Sequence, residues 1–146
     1  MAETKYGKYI VTQPKPNVPP KLWGSGDIGT DRVARIVYLD GEYPKGAYYL
    51  ECLWLYKKSP EGQIHTPHTH DYDEMIGFFG SDPDNPHELN GEIEIWLDDE
   101  KHMLTQSCVV FVPKGLKHCP LIYRRIDRPV FHFSTAPMAD YGGDQN

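Results

Sequence analysis

At 146 residues the chain suits one domain with its own hydrophobic core, and 39% hydrophobic with 25% charged residues is a globular balance, not a disordered one. A net charge of -6 leaves no Lys/Arg excess to release counterions, so nucleic acid is not an expected partner. Met1 to Thr12 carry charges throughout, without the apolar run of a secretory signal, and Cys108–Val112 is far too short to span a bilayer. No membrane partner is expected. The three cysteines Cys52, Cys108 and Cys119 cannot all pair, and an odd count without a signal predicts a reducing, cytoplasmic setting.

Gly and Pro contribute 13 residues each, which breaks the chain often and leaves little room for long helices. Gln13 to Gly29, with four prolines, three glycines and Trp23, predicts an extended arm that wraps its own domain or reaches a partner subunit, plain surface packing being the other reading. Strand signals follow at Val33–Leu39 and Ala47–Lys57, both rich in β-branched and aromatic residues. They recur at Glu74–Gly80, Glu92–Leu97, His102–Thr105, Val109–Val112, Leu121–Ile126 and Val130–Ser134. Short strands punctuated by turn chemistry predict an all-β sandwich or barrel. Asn90-Gly91 reads as a turn pair, and Asp98-Asp99-Glu100 as a reversal. Between them, alternation puts Ile93, Ile95 and Leu97 on a buried face and leaves Glu92 and Glu94 to solvent. Ser81 to Leu89 is a polar loop with two prolines.

The stretch His65-Thr66-Pro67-His68-Thr69-His70-Asp71-Tyr72-Asp73-Glu74 carries the strongest chemical signal. On a strand, His68 and His70 share one face. Asp71-Tyr72-Asp73 can turn the chain so that Glu74 opens an antiparallel neighbour, Met75 to Phe79. Downstream, Val112-Pro113-Lys114-Gly115-Leu116-Lys117-His118 ends one strand, turns at a glycine and starts the next with His118. Three imidazoles and a carboxylate at one point suit a first-row divalent ion. Solvated loop histidines are the other reading of the same residues, and the pattern alone leaves both open.

Together the two segments resemble the paired signature of the cupin superfamily. His68-Thr69-His70, three residues and Glu74 match the ligand part of its first motif, and Pro113-Lys114-Gly115-Leu116-Lys117-His118 the middle of its second. The likeness covers roughly Leu50 to Pro137. Ser107 and Ile122 stand where the second motif has glycine and asparagine, and Ser81 where the first has glycine, with Gly80 one residue early and a loop inserted before Gly91. The resemblance implies a jelly-roll barrel, that is, a double-stranded β-helix, and a homodimer. It implies one divalent transition metal ion (Fe, Mn, Zn, Ni or Cu) on His68, His70, Glu74 and His118. Residues 1–32 would then be the arm, 33–137 the barrel and 138–146 a flexible tail.

Counting from His118, Pro120 and Ile122 should point inward as an apolar rim, while Cys119 faces the core behind the site. His132, in Phe131-His132-Phe133, is either a substrate contact or proton-transfer group inside the barrel, or an exposed residue opposite inward phenylalanines. His65 is a weak ligand candidate, because Pro67 can break the parity that would turn it away. His87 and His102 read as surface residues, and Tyr48, Tyr49, Trp54 and Tyr56 as sheet packing. The resemblance favours a metal-dependent enzyme (a dioxygenase, isomerase or lyase) acting on a small oxygen-rich molecule such as a keto acid, enediol, sugar derivative or phenolic. The alternative is a non-catalytic small-molecule binding or sensing module, since fold does not fix function.

Overall fold

In the computed structural model the described residues are 4–16, 18, 31–61 and 66–139. Eight strands follow in chain order: β1 (Val33–Leu39), β2 (Tyr49–Leu55), β3 (Glu74–Gly80), β4 (Glu88–Leu97), β5 (Glu100–Gln106), β6 (Cys108–Val112), β7 (His118–Ile126) and β8 (Val130–Ala136). One sheet has the order β1-β2-β8-β3-β6 and the other β5-β4-β7, with every pairing antiparallel. The fold is the all-β jelly roll expected, and all eight expected strand segments are strands. No helix among the described residues is long and apolar enough to cross a membrane.

Alternation builds the core between the two sheets. In β2, Tyr49, Glu51, Leu53 and Leu55 are buried while the residues between them are only half-buried. Leu55 and Phe78 from the larger sheet meet Leu89, Ile93 and Ile95 from the smaller one, all completely buried. Truncating a residue such as Phe78 to alanine would cost about 3–5 kcal/mol in transfer energy and cavity.

Two local expectations are corrected. Asn90-Gly91 is no chain reversal but lies within β4, where Asn90 takes a φ of 54° and the register to both neighbours shifts. Gly91 fits there because a Cβ would come within 2.5 Å of the Arg125 carbonyl oxygen. Glu94 is buried, not exposed, because long side chains close over it: Arg124 Nε donates to Oε1 at 3.0 Å and Trp96 Nε1 to Oε2 at 2.8 Å. The Arg124 hydrogen bond lowers the Glu94 carboxyl from its ordinary value. The reversal at Asp98-Asp99 is present, with Asp98 at φ 55° and Leu97 facing Glu100.

Ser107, in place of a motif glycine, stitches the loop between β3 and β4. Its hydroxyl accepts from Gly80 N at 2.9 Å and donates to the Pro86 carbonyl at 2.7 Å. Beside β1, Lys15 N donates to the Tyr38 carbonyl at 2.9 Å. Past β8, the carbonyls of Met138 and Ala139 accept from Tyr49 N and Gly41 N. Residues 19–30 of the expected arm and 140–146 of the expected tail lie outside the described residues.

Candidate metal centre

Backbone hydrogen bonds bring the two histidine segments together. His68 and His118 form an antiparallel bridge, N–H to C=O at 3.0 Å in each direction. Gly115 N donates to the His70 carbonyl at 3.0 Å, with Gly115 at φ 84°, a conformation that favours glycine. Asp73 Oδ1 accepts from Lys114 N at 2.8 Å. This corrects the expected hairpin: residues 66–70 form no strand against β3 but dock on the turn before β7. β3 instead pairs with β6, Glu74 opposite Val112. The segment 113–117 likewise joins two different sheets and is no hairpin turn.

The four expected ligands converge and are buried, Glu74 and His118 being 2% and 1% exposed. His68 Nδ1 is 2.7 Å from the Thr66 carbonyl and His118 Nδ1 is 3.0 Å from that of Leu116. A carbonyl only accepts, so both Nδ1 atoms carry protons and both Nε2 atoms turn a lone pair inward. Burial lowers the His68 pKa, which keeps that ring neutral. Ser134 Oγ donates to Glu74 Oε2 at 2.9 Å and so orients the carboxylate. Glu74 Oε1 then lies 3.3 Å from His118 Nε2 and 3.6 Å from His70 Nε2. His70 is itself steadied by stacking on Tyr72, with ring centroids 4.6 Å apart.

These separations suit a cation. His68 Nε2 and His70 Nε2 are 3.0 Å apart, too close for two facing lone pairs without a proton or a cation between them. His118 Nε2 is buried and makes no hydrogen bond. Bonds of about 2.1 Å to one ion would put neighbouring donors roughly 3.0–3.4 Å apart. That is the separation of His68 Nε2 from His70 Nε2 and of Glu74 Oε1 from His118 Nε2, with His70 Nε2 to Glu74 Oε1 slightly wider at 3.6 Å. His68, His70 and His118 place their ligand nitrogens within 4.8 Å of one another. A buried carboxylate among neutral rings is costly unless something positive balances it.

The centre opens into a cavity of about 480 Å³, counted with its mouth. His132 lines it, with Nδ1 donating to the Gly77 carbonyl at 3.0 Å and its ring stacked on Phe78 at 4.5 Å. The inward reading of His132 therefore holds, and its flanking phenylalanines pack elsewhere, Phe131 against Trp54 and Phe133 against Phe79. The expected rim of Pro120 and Ile122 is replaced by Cys119, Leu121 and Tyr123. The reason is a bulge: the four β7 residues from His118 to Leu121 span only three on β4, Leu97 to Ile95, with Cys119 at φ 80°. Cys119 thus faces the cavity instead of lying behind the site, and burial pushes its thiol up to about 12.

Two further cavity residues escaped the sequence reading. Tyr49 was assigned to sheet packing, yet it is buried on the cavity wall, and burial followed by the charge of Glu51 raises its pKa. Glu51 lies two residues on, with the Arg35 guanidinium 3.6 Å away. Alternation along Tyr49-Leu50-Glu51-Cys52-Leu53 held the signal, since it sets a lone acid in an inward row. His87 and His102 are exposed, as expected. His65 lies outside the described residues.

No family model matches the sequence, and no curated protein matches it. Solved structures do. KdgF from Halomonas sp. is 20% identical over 74% of this chain and 79% of its own, with a TM-score of 0.44. An oxalate oxidase in complex with the substrate analogue glycolate is 14% identical over 77% of this chain and 54% of its own, at 0.49. A cupin-2 domain protein from Shewanella frigidimarina is 18% identical over 61% of this chain and 69% of its own, at 0.37. With its own strand order and the two motif segments latched across its sheets, the chain is a barrel of the cupin fold.

Proposed function

We propose that the protein binds one divalent transition metal ion through His68, His70, Glu74 and His118. It would use that ion as an enzyme acting on a small oxygen-rich molecule. The observation that carries this reading is the buried cluster of three imidazoles beside one oriented carboxylate, with the inward lone pairs of His68 and His118 and the Glu74 carboxylate on the wall of a single cavity. When bound, the ion would supply Lewis acidity toward substrate oxygens. The chain's residues do the rest. Leu53, Ile76 and Leu121 exclude water from the apolar walls, Ser134 fixes the Glu74 carboxylate, and the backbone carbonyls of Thr66 and Leu116 hold two rings in the ligand tautomer.

The test is elemental mass spectrometry of untagged protein beside a His68→Ala/His118→Ala double variant. Near-stoichiometric Fe, Mn, Ni, Cu or Zn in the parent and its loss in the variant are expected. No metal in either, even after reconstitution with each ion, would overturn the proposal.

A further inference from the structure

We propose that Glu51 is the proton-transfer residue of this cavity, acting on the carbon next to a carbonyl group of the bound substrate. The inference rests on the metal-site reading above and narrows its chemistry to the enolisation that isomerases and lyases share.

Placement comes first. Glu51 faces inward from β2, opposite Ser134 of β8, which is in turn opposite Ile76 of β3. Adjacent strands lie about 4.8 Å apart, so Glu51 stands about 10 Å along the sheet from the strand that carries Glu74. Ser134, between them, is the residue that orients Glu74. A molecule of a few carbons with its oxygens at the histidine end would bring its next carbon to Glu51.

Glu51 is poorly explained as a structural ion pair. Arg35 Nη2 is 3.6 Å from its Oε1, longer than a hydrogen bond, and Arg35 Nε and Nη2 are buried with no hydrogen bond at all. A buried pair repays its desolvation only with close, well-aligned bonds, and this one has none. The titratable and charged groups around this cavity are Arg35 from β1, Tyr49 from β2, His132 from β8, Glu74 from β3, His118, Cys119 and Tyr123 from β7, and His68 from the segment before β3. Burial pushes the Glu51 carboxyl up to about 7, with Arg35 opposing the rise. Such a group gives and takes protons near neutral pH.

The step balances without a co-reactant. The Glu51 carboxylate takes the proton from the carbon beside the carbonyl. The C–H electron pair becomes a C=C bond, and the carbonyl π pair moves onto oxygen. On an α-hydroxy carbonyl substrate the resulting Glu51 carboxylic acid returns its proton to the former carbonyl carbon while the neighbouring hydroxyl proton passes to the enolate oxygen, which closes an isomerisation. Where a leaving group on the next carbon departs with its electron pair, the proton goes to solvent.

Two readouts on the full chain, reconstituted with metal, test this. In protein labelled with [δ-13C]glutamate, the carboxyl resonance that disappears in Glu51→Gln should titrate near neutral pH, with its midpoint higher in Arg35→Met. Deuterium uptake from heavy water into pyruvate and dihydroxyacetone, followed by proton NMR, should be roughly 100-fold or more slower in Glu51→Gln than in the parent. Circular dichroism and metal content should match in both. Titration of Glu51 in the ordinary carboxylate range, equal exchange rates in parent and variant, or no exchange by the parent would each overturn the proposal. Failure of the parent to hold metal would instead overturn the site reading, and the substrate placement with it, while leaving the Glu51 titration to be read on its own.

Discussion

His68 and His118 hold one another by a reciprocal pair of backbone hydrogen bonds, each 3.0 Å, across segments 50 residues apart in the sequence. The bridge uses main-chain atoms only and fixes the roots of both side chains, while the Thr66 and Leu116 carbonyls hold the two rings through Nδ1. Donor atoms mounted this way lose little freedom on binding an ion, which is the advantage of a site built on a rigid scaffold.

Removing one ring should therefore cost affinity and not fold. His118→Ala or His70→Ala is expected to weaken metal binding roughly 100-fold or more, taking each ligand as about a quarter of a typical site's binding energy. Competition with a chromophoric chelator measures it, and circular dichroism checks the barrel. Full occupancy in both variants would sink the ligand assignment.

The latch also depends on Gly115. Its φ of 84° strains any other residue, although a Cβ there would meet nothing within 4 Å. Gly115→Ala thus isolates the backbone effect. It should lower stability by about 1–2 kcal/mol and loosen the metal site, because the Gly115 N–H that holds the His70 carbonyl would turn away. Calorimetry and a metal titration would show both. An unchanged melting temperature would mean that the turn tolerates alanine and contributes no pre-organisation.

Strand segments were legible because period-two alternation and turn residues are local properties, and each expected segment overlaps an observed strand. What was not legible depends on pairing between distant strands. The inward set on β7 shifted from Pro120 and Ile122 to Cys119, Leu121 and Tyr123 because the bulge is defined against β4, which β7's own sequence does not reveal. Likewise, Asn90-Gly91 has the chemistry of a turn but sits between two partners whose hydrogen bonds keep the strand running through it. The four candidate ligand residues do lie together, but their route to one point was not legible, since it runs through the His68 to His118 bridge. Glu51 was overlooked although β2 alternates cleanly. The acid stands in an inward apolar row, where burial and not residue type is the clue.

Ser107 offers a test of a departure from the motif. Ser107→Ala leaves the Gly80 N–H and the Pro86 carbonyl without their side-chain partner. Both lie near the surface, where water replaces part of the loss, so about 1 kcal/mol of destabilisation is expected. Faster amide exchange at Gly80 should accompany it. Unchanged exchange at that amide would show that the hydroxyl does not hold the loop.

Glu51 gives a pH dependence whose sign can be worked out. Its folded value of about 7 lies above the ordinary 4.5 because burial disfavours the charged form. Below about 4.5 the carboxyl is protonated in both folded and unfolded chains and contributes nothing to the difference. As pH rises from there toward 7, the unfolded chain has already released a proton that the folded chain still binds, so stability falls. Above 7 the penalty is complete, on the order of 3 kcal/mol as an upper bound for a shift of this size. Glu51→Gln removes that slope. Urea unfolding of both proteins without metal, at pH 5 and pH 8, should show the variant gaining on the parent at the higher pH. Cancelling the titration of the four ligand residues is what the comparison achieves, since they are common to both proteins. A difference that stays constant between the two pH values would mean that Glu51 ionises in the folded protein as it does in water.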